Sequence, residues 1–314
     1  MTKNSEIRQY GRVCSVTGIK TSDDNFYSNQ NHIKAVDNMR RNTSATKDQP
    51  GNEPTKEKKS FVVDKNMRDS GSSPLKKVAK EINEKVDLIV IAVISKGIEW
   101  ASLELSKVIK KNMPILILTK GLAINNNNYE VLVHKMERLF KKNGIKETNI
   151  SAAGGPCLAK GLANKVHTSV VFANTDISAA KQISKLVSTD YYHVFTSDDV
   201  VGVETCAAIK NIFSMAIGAS QGLCDPAASK EIKEKNYLNT AAALIQESIY
   251  EMITFVEKLK GKKETVMGLA GIGDLYVSVD GGRNSKMGEY LGQGMTFKEA
   301  KKKKMPKDTV EGAD

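Results

Sequence analysis

Lys210 would lie on a nearly apolar face of a predicted helix, which makes it the first candidate for chemistry in this sequence. If residues 200–217 form a helix, its neighbours at helical spacing are Val203, Cys206, Ala207, Phe213, Ser214 and Ile217. A buried ammonium group is costly unless it is paired, so this lysine is a candidate acid or base with an altered pKa. The alternative is a lysine whose methylene groups pack against the protein while its amine reaches water.

Lys120 is the second candidate, because it directly follows the apolar run 114–119. Such a run is typical of a buried strand, and open α/β sheets bind ligands beyond the carboxyl ends of their strands. A charge at this edge is therefore a site candidate. The alternative is an ordinary solvated loop lysine.

A glycine-rich segment, residues 268–284, holds the third group of candidates. Glycines let the backbone approach a ligand closely, and Asp274 lies in the middle of the segment. Arg283 and Asn284 follow a double glycine and precede a predicted helix from Ser285, where a helix N-terminus and a guanidinium together suit an anion. The alternative interpretation is two glycine turns that carry solvated polar residues.

Alternating strands and helices in the first two thirds of the chain would position these residues. Apolar runs rich in β-branched residues predict buried strands at 86–94, 114–119, 168–173 and 193–196. Helical patterns between the strands fall at 103–111, 129–140 and 179–186. The alternation favours an α/β fold with a doubly wound, Rossmann-like parallel sheet.

After residue 198 the apolar strand-like runs stop and helical periodicity takes over. Residues 236–260 carry apolar side chains at three- and four-residue spacing, and Thr296 with Glu299 forms a capping-box pattern that starts another helix. We therefore predict an α/β domain over residues 1–197 and a mainly α-helical domain over residues 198–314.

The first 85 residues follow neither pattern. Residues 42–60 are polar, charged and punctuated by Pro and Gly, which is typical of a loop or of disorder. Residues 12–18 predict one short strand and a turn at Gly18, but no GxGxxG motif follows. From the sequence, the completeness of the Rossmann-like domain is therefore an open question.

Composition limits the classes of function. The formal charge of +11 on 314 residues indicates either a solvated lysine-rich surface or attraction of phosphates and nucleotides. The basic runs contain no interleaved aromatic residues, which argues against nucleic-acid binding. No apolar run reaches the roughly 18 residues of a membrane span, and the N-terminus lacks a secretion signal, so we expect a cytoplasmic protein. The cysteines and histidines show no metal-ligand spacing, so no metal site is expected.

From about residue 86 onward the sequence resembles the NAD(P)-dependent glycerol-3-phosphate dehydrogenases. The resemblance rests on segments in a fixed order, namely 119–121 (TKG), 155–159 (GPCLA), 197–204 (SDDVVGVE), 208–211 (AIKN), 268–275 (GLAGIGDL), 281–284 (GGRN) and 310–312 (VEG). It implies reversible, NAD- or NADP-dependent reduction of dihydroxyacetone phosphate to glycerol 3-phosphate. It also implies that residues 1–197 bind the dinucleotide and that residues 198–314 bind substrate. A homodimer is an open alternative to a monomer.

The resemblance also implies roles for individual residues. Lys210 would be the general acid that protonates the substrate carbonyl oxygen, Asp274 would pair with it, and Lys120 would polarise the carbonyl. Substrate contacts would come from Gly155, Cys157, Asn211, Ser278, Arg283 and Asn284. Cofactor contacts would come from Gly18, Lys120, Ala159, Arg283 and Glu311.

The sequence departs from the family pattern at three places. Gly18 is a candidate for the first glycine of the dinucleotide turn, but neither later glycine follows it. Cys157 stands where the family has serine, and the helical domain ends soon after Glu311, so we expect it to be short. Two accounts therefore compete: a working enzyme with a variant turn, and a degenerate paralogue that keeps a phosphometabolite pocket without normal dinucleotide binding.

Overall fold

The computed structural model describes residues 86–109, 111–224, 237–306, 308 and 310, together with the backbone of two short strands nearer the N-terminus. One sheet contains β1 (Val13–Val16), β2 (Phe61–Val63), β3 (Leu88–Ile91), β4 (Pro114–Ile117), β7 (Asn149–Gly154), β8 (Thr168–Ala173) and β9 (Tyr192–Ser197). A separate antiparallel hairpin consists of β5 (Leu122–Asn125) and β6 (Asn128–Val131).

The sheet has the strand order β2-β1-β3-β4-β7-β8-β9, and its neighbouring strands are parallel except at β7–β8. The chain runs outward from β1 to β2 and returns to β3 on the other side of β1. In β3, Leu88 and Val90 belong to one core cluster and Ile89 and Ile91 to another, so both faces are covered. The predicted doubly wound, Rossmann-like fold is confirmed.

Helices connect the strands and make up all the elements described after β9. Those among the strands are α1 (Ile98–Ser106), α2 (Leu132–Lys142), α3 (Ala159–Ala163) and α4 (Ile177–Val187). Those after β9 are α5 (Val200–Gly222), α6 (Leu238–Lys258), α7 (Lys263–Val266), α8 (Asp274–Gly281), α9 (Arg283–Gly292) and α10 (Phe297–Lys303). The helical character of this part is confirmed, while the domain boundary at 197/198 stays a prediction.

Two predicted helices begin at other places in the structure. The helix predicted at 103–111 is α1, which begins at Ile98 and ends at Ser106, because its buried residues start earlier. The pattern at 129–140 includes β6, and the helix starts only at Leu132. The β5–β6 turn places Asn126 and Asn127 at φ 48° and 63°, the left-handed geometry of a two-residue hairpin.

Helix α5 is the central helix of the second part, and α9 packs closely along it. A Cβ at Gly218 would lie 2.1 Å from the carbonyl oxygen of Ser285, and one at Gly288 would lie 1.9 Å from that of Met215. The equivalent contacts one turn further on, of Gly222 with Glu289 and of Gly292 with Ala219, are displaced by four residues in the same direction on both helices, so the helices run parallel. In the first turn of α9, Ser285 consequently lies against Gly218, about two turns after Lys210 on α5.

Helix α5 is also long and apolar enough to cross a membrane, judged by length and composition alone. However, 61% of its most apolar 18-residue window is buried inside the protein, as in the core helix of a globular domain. The helix therefore gives only weak support to a membrane span.

Candidate active site

Lys210 lies on α5, whose N-terminus is capped by Asp199, the acceptor of a hydrogen bond from the backbone N–H of Gly202 at 2.8 Å. Only 5% of the Lys210 side chain is exposed. Its Nζ donates to Ser278 Oγ at 2.9 Å and forms an ion pair with Asp274 Oδ1. The alternative of a lysine whose amine reaches water is therefore wrong.

Asp274 is the first residue of α8 and directly follows a π-helical turn, Leu269–Gly273. A Cβ at Gly271 would lie 2.0 Å from the carbonyl oxygen of Val266, so this turn requires a glycine. The Asp274 side chain is 1% exposed, and its Oδ2 lies 3.2 Å from Nζ of Lys120. Two ammonium groups therefore share one buried carboxylate.

Lys120 reaches this carboxylate from the loop that follows β4. Thr119 Oγ1 donates to the carbonyl oxygen of Val93 at 2.6 Å, which ties the loop to the segment after β3. Gly121 has φ 143°, and a Cβ there would lie 3.2 Å from Cβ of Ser95. The backbone thus fixes the base of the Lys120 side chain, which is 27% exposed.

The two lysines compete for one counter-charge, and this alters their proton affinity. Burial, followed by the charge of Lys120, lowers the pKa of Lys210 from 10.5 to about 7, and Asp274 opposes the shift. A pKa near neutrality suits a group that must both donate and accept a proton in a reversible reaction.

The loop after β7 borders the same cluster. Gly155 has φ 102°, and a Cβ there would lie 3.2 Å from Cα of Val170 on β8. Burial raises the pKa of the Cys157 thiol to about 11, while the charge of Lys120 opposes the shift. Cys157 is therefore a neutral S–H group within the field of the cluster. Ala159, two residues on, is the first residue of α3.

The residues predicted from the sequence to bind an anion lie at the N-terminus of α9. Arg283 is its first residue and is partly exposed, while Asn284 is buried. Asn211 directly follows Lys210 on α5 and is partly exposed.

Two predicted cofactor residues, Gly18 and Glu311, lie outside the described residues. Within the described ranges, no cluster of three or more His, Cys, Asp or Glu side chains is arranged to hold a metal ion. The predicted roles of all site residues stay predictions, while the proximity of Lys210, Asp274, Lys120 and Ser278 is a finding of the structure.

Sequence reasoning missed two buried acids on the same helix as Lys210. Asp199 Oδ2 accepts hydrogen bonds from the N–H of Lys262 at 2.9 Å and from Thr265 Oγ1 at 2.5 Å. Glu204 Oε2 accepts one from the N–H of Val133 at 2.8 Å. Both acids belong to the SDDVVGVE segment, where an acid beside apolar helical residues was the available signal.

The strand order of the sheet reverses between β1 and β3. In this fold a dinucleotide binds in the crevice outside the carboxyl ends of the strands at such a point. On the β3 side, Ala92 and Val93 are buried and lead into a 3₁₀ turn, Ser95–Gly97, whose Gly97 is also buried. The segment after β1 that would face the pyrophosphate lies outside the described residues.

Two models of one protein family match the chain. The model of the NAD-dependent glycerol-3-phosphate dehydrogenase N-terminus matches residues 73–180, and that of the C-terminus matches residues 199–314. The NADP(+)-dependent glycerol-3-phosphate dehydrogenase of Archaeoglobus fulgidus is 32% identical over 190 residues, which is 60% of this chain and 54% of the relative. The glycerol-3-phosphate dehydrogenase [NAD(P)+] of Clostridium tetani is 30% identical over 224 residues, 70% of this chain and 59% of the relative.

Solved structures of similarly named proteins share the fold. The glycerol-3-phosphate dehydrogenase of Coxiella burnetii has a TM-score of 0.67 at 24% identity and covers 96% of this chain and 86% of its own. That of Plasmodium falciparum has a TM-score of 0.67 at 18% identity, with coverages of 96% and 83%. By contrast, the chain spans less than two thirds of the length of the curated relatives it matches.

Proposed function

Because this chain belongs to the NAD-dependent glycerol-3-phosphate dehydrogenase family, we propose that it reduces dihydroxyacetone phosphate reversibly to sn-glycerol 3-phosphate with NADH or NADPH. The observation that carries the proposal is the buried Asp274 carboxylate that Lys210 and Lys120 share. The degenerate-paralogue account receives no support from the comparisons.

Lys210 holds the proton that the reaction needs. When bound, the reduced nicotinamide supplies the hydride that the C2 carbonyl carbon of the substrate accepts. The carbonyl oxygen then takes the proton from Lys210 Nζ, so that a ketone becomes a secondary alcohol. In the reverse direction the neutral amine of Lys210 accepts the hydroxyl proton. Its lowered pKa makes both protonation states accessible near neutral pH.

Asp274 and Ser278 orient the acid. Together they hold Lys210 Nζ by an ion pair and a 2.9 Å hydrogen bond. Ser278 Oγ in turn donates to the carbonyl oxygen of Asp274 at 2.6 Å, which fixes the hydroxyl. Lys120 adds a second positive charge that stabilises the developing charge on the substrate oxygen.

The substrate phosphate is assigned to the N-terminus of α9. Arg283 offers a planar set of donors that matches a phosphate, and the helix N-terminus adds backbone N–H groups. Asn211 and Asn284 are assigned to the hydroxyl and phosphate oxygens, and Gly155 and Cys157 to the opposite side of the substrate. Lys120, Ala159 and Arg283 are the described residues assigned to the dinucleotide.

The test combines binding and turnover on the purified full chain. Fluorescence titration with NADH and NADPH should give saturable binding of at least one of them, and the cofactor that binds should be oxidised when dihydroxyacetone phosphate is added. A folded chain that binds neither cofactor would overturn the proposal in favour of the degenerate account. Binding of either cofactor without turnover of it would overturn the assignment of the substrate.

A further inference from the structure

Glu204 is a buried carboxyl group with no part in the proton chemistry proposed above. It is 5% exposed and lies six residues before Lys210, which puts the two side chains about 120° apart around the α5 axis. Glu204 Oε2 accepts a hydrogen bond from the N–H of Val133 at 2.8 Å, and the N–H of Leu132 also favours its charged form; these are the first two residues of α2. Burial raises the pKa of Glu204 to about 8, and these donors oppose the shift.

Glu204 therefore caps a helix that belongs to the other part of the molecule. The N-cap residue of α2, Val131, provides no side-chain hydrogen bond of its own. The first N–H groups of a helix lack partners within it, and a buried N–H without an acceptor costs free energy. The Glu204 carboxyl group on α5 thus accepts the hydrogen bond that an N-cap side chain of α2 would normally accept.

The capped helix start is also the base of the β5–β6 hairpin. Val131 pairs across the hairpin with Leu122, which is two residues after Lys120. Between them Gly121 has φ 143° and packs closely against the segment after β3. A displacement of Val131 would therefore also displace its strand partner Leu122, and with it the backbone of Lys120 two residues earlier.

We propose that Glu204 is a positioning residue, which holds the hairpin base on α5 and thereby fixes Lys120 at the carboxylate that Lys210 also binds. The proposal rests on the proposed function and deepens it, because one helix then carries both the acid and the anchor of the second cation.

A double-mutant cycle tests this coupling. Glu204→Met keeps the length of the side chain but removes the acceptor, and it should lower kcat roughly tenfold to a hundredfold, as small misplacements of catalytic groups do. In a Lys120→Met background the same change should lower kcat by less than about threefold, because its target is gone. Glu204→Gln keeps an oxygen acceptor and should restore most of the activity.

Asn174→Ala is the matched control. Asn174 is buried and bonds Asn149, Ile150 and Ser151, at the edge of the sheet opposite Lys120. This variant should lose stability without losing kcat. The proposal is overturned if Glu204→Met lowers kcat by the same factor in both backgrounds, or if Asn174→Ala lowers it equally. If Glu204→Met does not fold, Glu204→Asp, which is too short to reach the hairpin, replaces it.

A readout without substrate separates this proposal from the proposed function. Lysine side-chain NMR titration of the unliganded full chain gives the pKa of Lys210, which the charge of Lys120 lowers. Glu204→Met should raise that pKa because Lys120 moves away, and Asn174→Ala should leave it unchanged. An unchanged value in Glu204→Met would overturn the positioning role, whereas a parent chain without turnover would overturn only the proposed function.

Discussion

The sheet part and the helical part of this molecule each bring one lysine to the same carboxylate, and they do so by different means. The sheet part delivers Lys120 on a loop whose backbone is fixed by neighbouring strands, and 27% of its side chain remains exposed. The helical part delivers Lys210 from the middle of a long helix, with 5% exposed. A loop at a strand end therefore places a cation that solvent still reaches, while a central helix removes the amine from water and changes its pKa.

The two parts also differ in how tightly their helices pack. The α5–α9 contact leaves no room for a side chain at Gly218 or Gly288. In α3, beside the sheet, a Cβ at Gly161 would meet only Cβ of Val166, at 3.9 Å. The α5–α9 contact therefore has little tolerance for added side-chain volume, whereas α3 has room for a methyl group at Gly161.

The largest expected effect separates the two lysines. Lys210→Met removes the proton donor and should lower kcat by about 10²–10⁴-fold, the range for a general acid. Lys120→Met removes a charged hydrogen bond worth about 1.5–3 kcal/mol, so it should lower kcat by roughly tenfold to a hundredfold. Steady-state kinetics at saturating substrate, with circular dichroism as the folding check, measure both.

These variants are matched, because each replaces one ammonium group of the pair by an apolar side chain of similar length. A larger loss in Lys120→Met than in Lys210→Met would exchange the roles assigned to the two parts of the molecule.

The next effect concerns packing. Gly288→Ala puts a methyl group 1.9 Å from the carbonyl oxygen of Met215, so the helices must separate, and we expect a loss of about 1–3 kcal/mol in the free energy of unfolding. Gly161→Ala meets only an ordinary contact and gains helix propensity, so it should be neutral or stabilising by up to about 1 kcal/mol. Urea denaturation of both variants makes the comparison, and equal losses would contradict the difference in packing.

The sequence predicted the parts of the fold that rest on local patterns. Strand β3 is a continuous apolar run, β8 is apolar from Val170 onward, and the capping box at Thr296 has its two hydrogen bonds. The β5–β6 hairpin was missed because its residues form no apolar run and its turn depends on left-handed backbone at Asn126 and Asn127.

The site was less accessible to sequence reasoning because its contacts are distant along the chain. Lys210 and Asp274 are 64 residues apart, and their pairing was expected only from the family resemblance. Glu204 was not singled out, because an acidic side chain on a helix is usually solvated. Its partner Val133 on α2 is 71 residues away along the chain, so no local pattern indicates the contact. Spacing along one helix identified Lys210 but could not identify what pairs with it.

The smallest expected effect is the pH dependence of stability. With a pKa near 7 in the folded protein and 10.5 in the unfolded chain, Lys210 binds fewer protons when folded over that interval. The free energy of unfolding therefore rises with pH there, by about 1 kcal/mol between pH 7 and 8 from this group. Lys210→Met should lack this increment. Between pH 7 and 8, the free energy of unfolding of the parent chain should therefore rise relative to that of the variant. In Lys120→Met the increment should shrink, because the charge that lowers the pKa of Lys210 has been removed.

Urea denaturation at pH 7 and pH 8 measures the free energy of unfolding of each variant. An increment that persists in Lys210→Met would assign the pH dependence to another group.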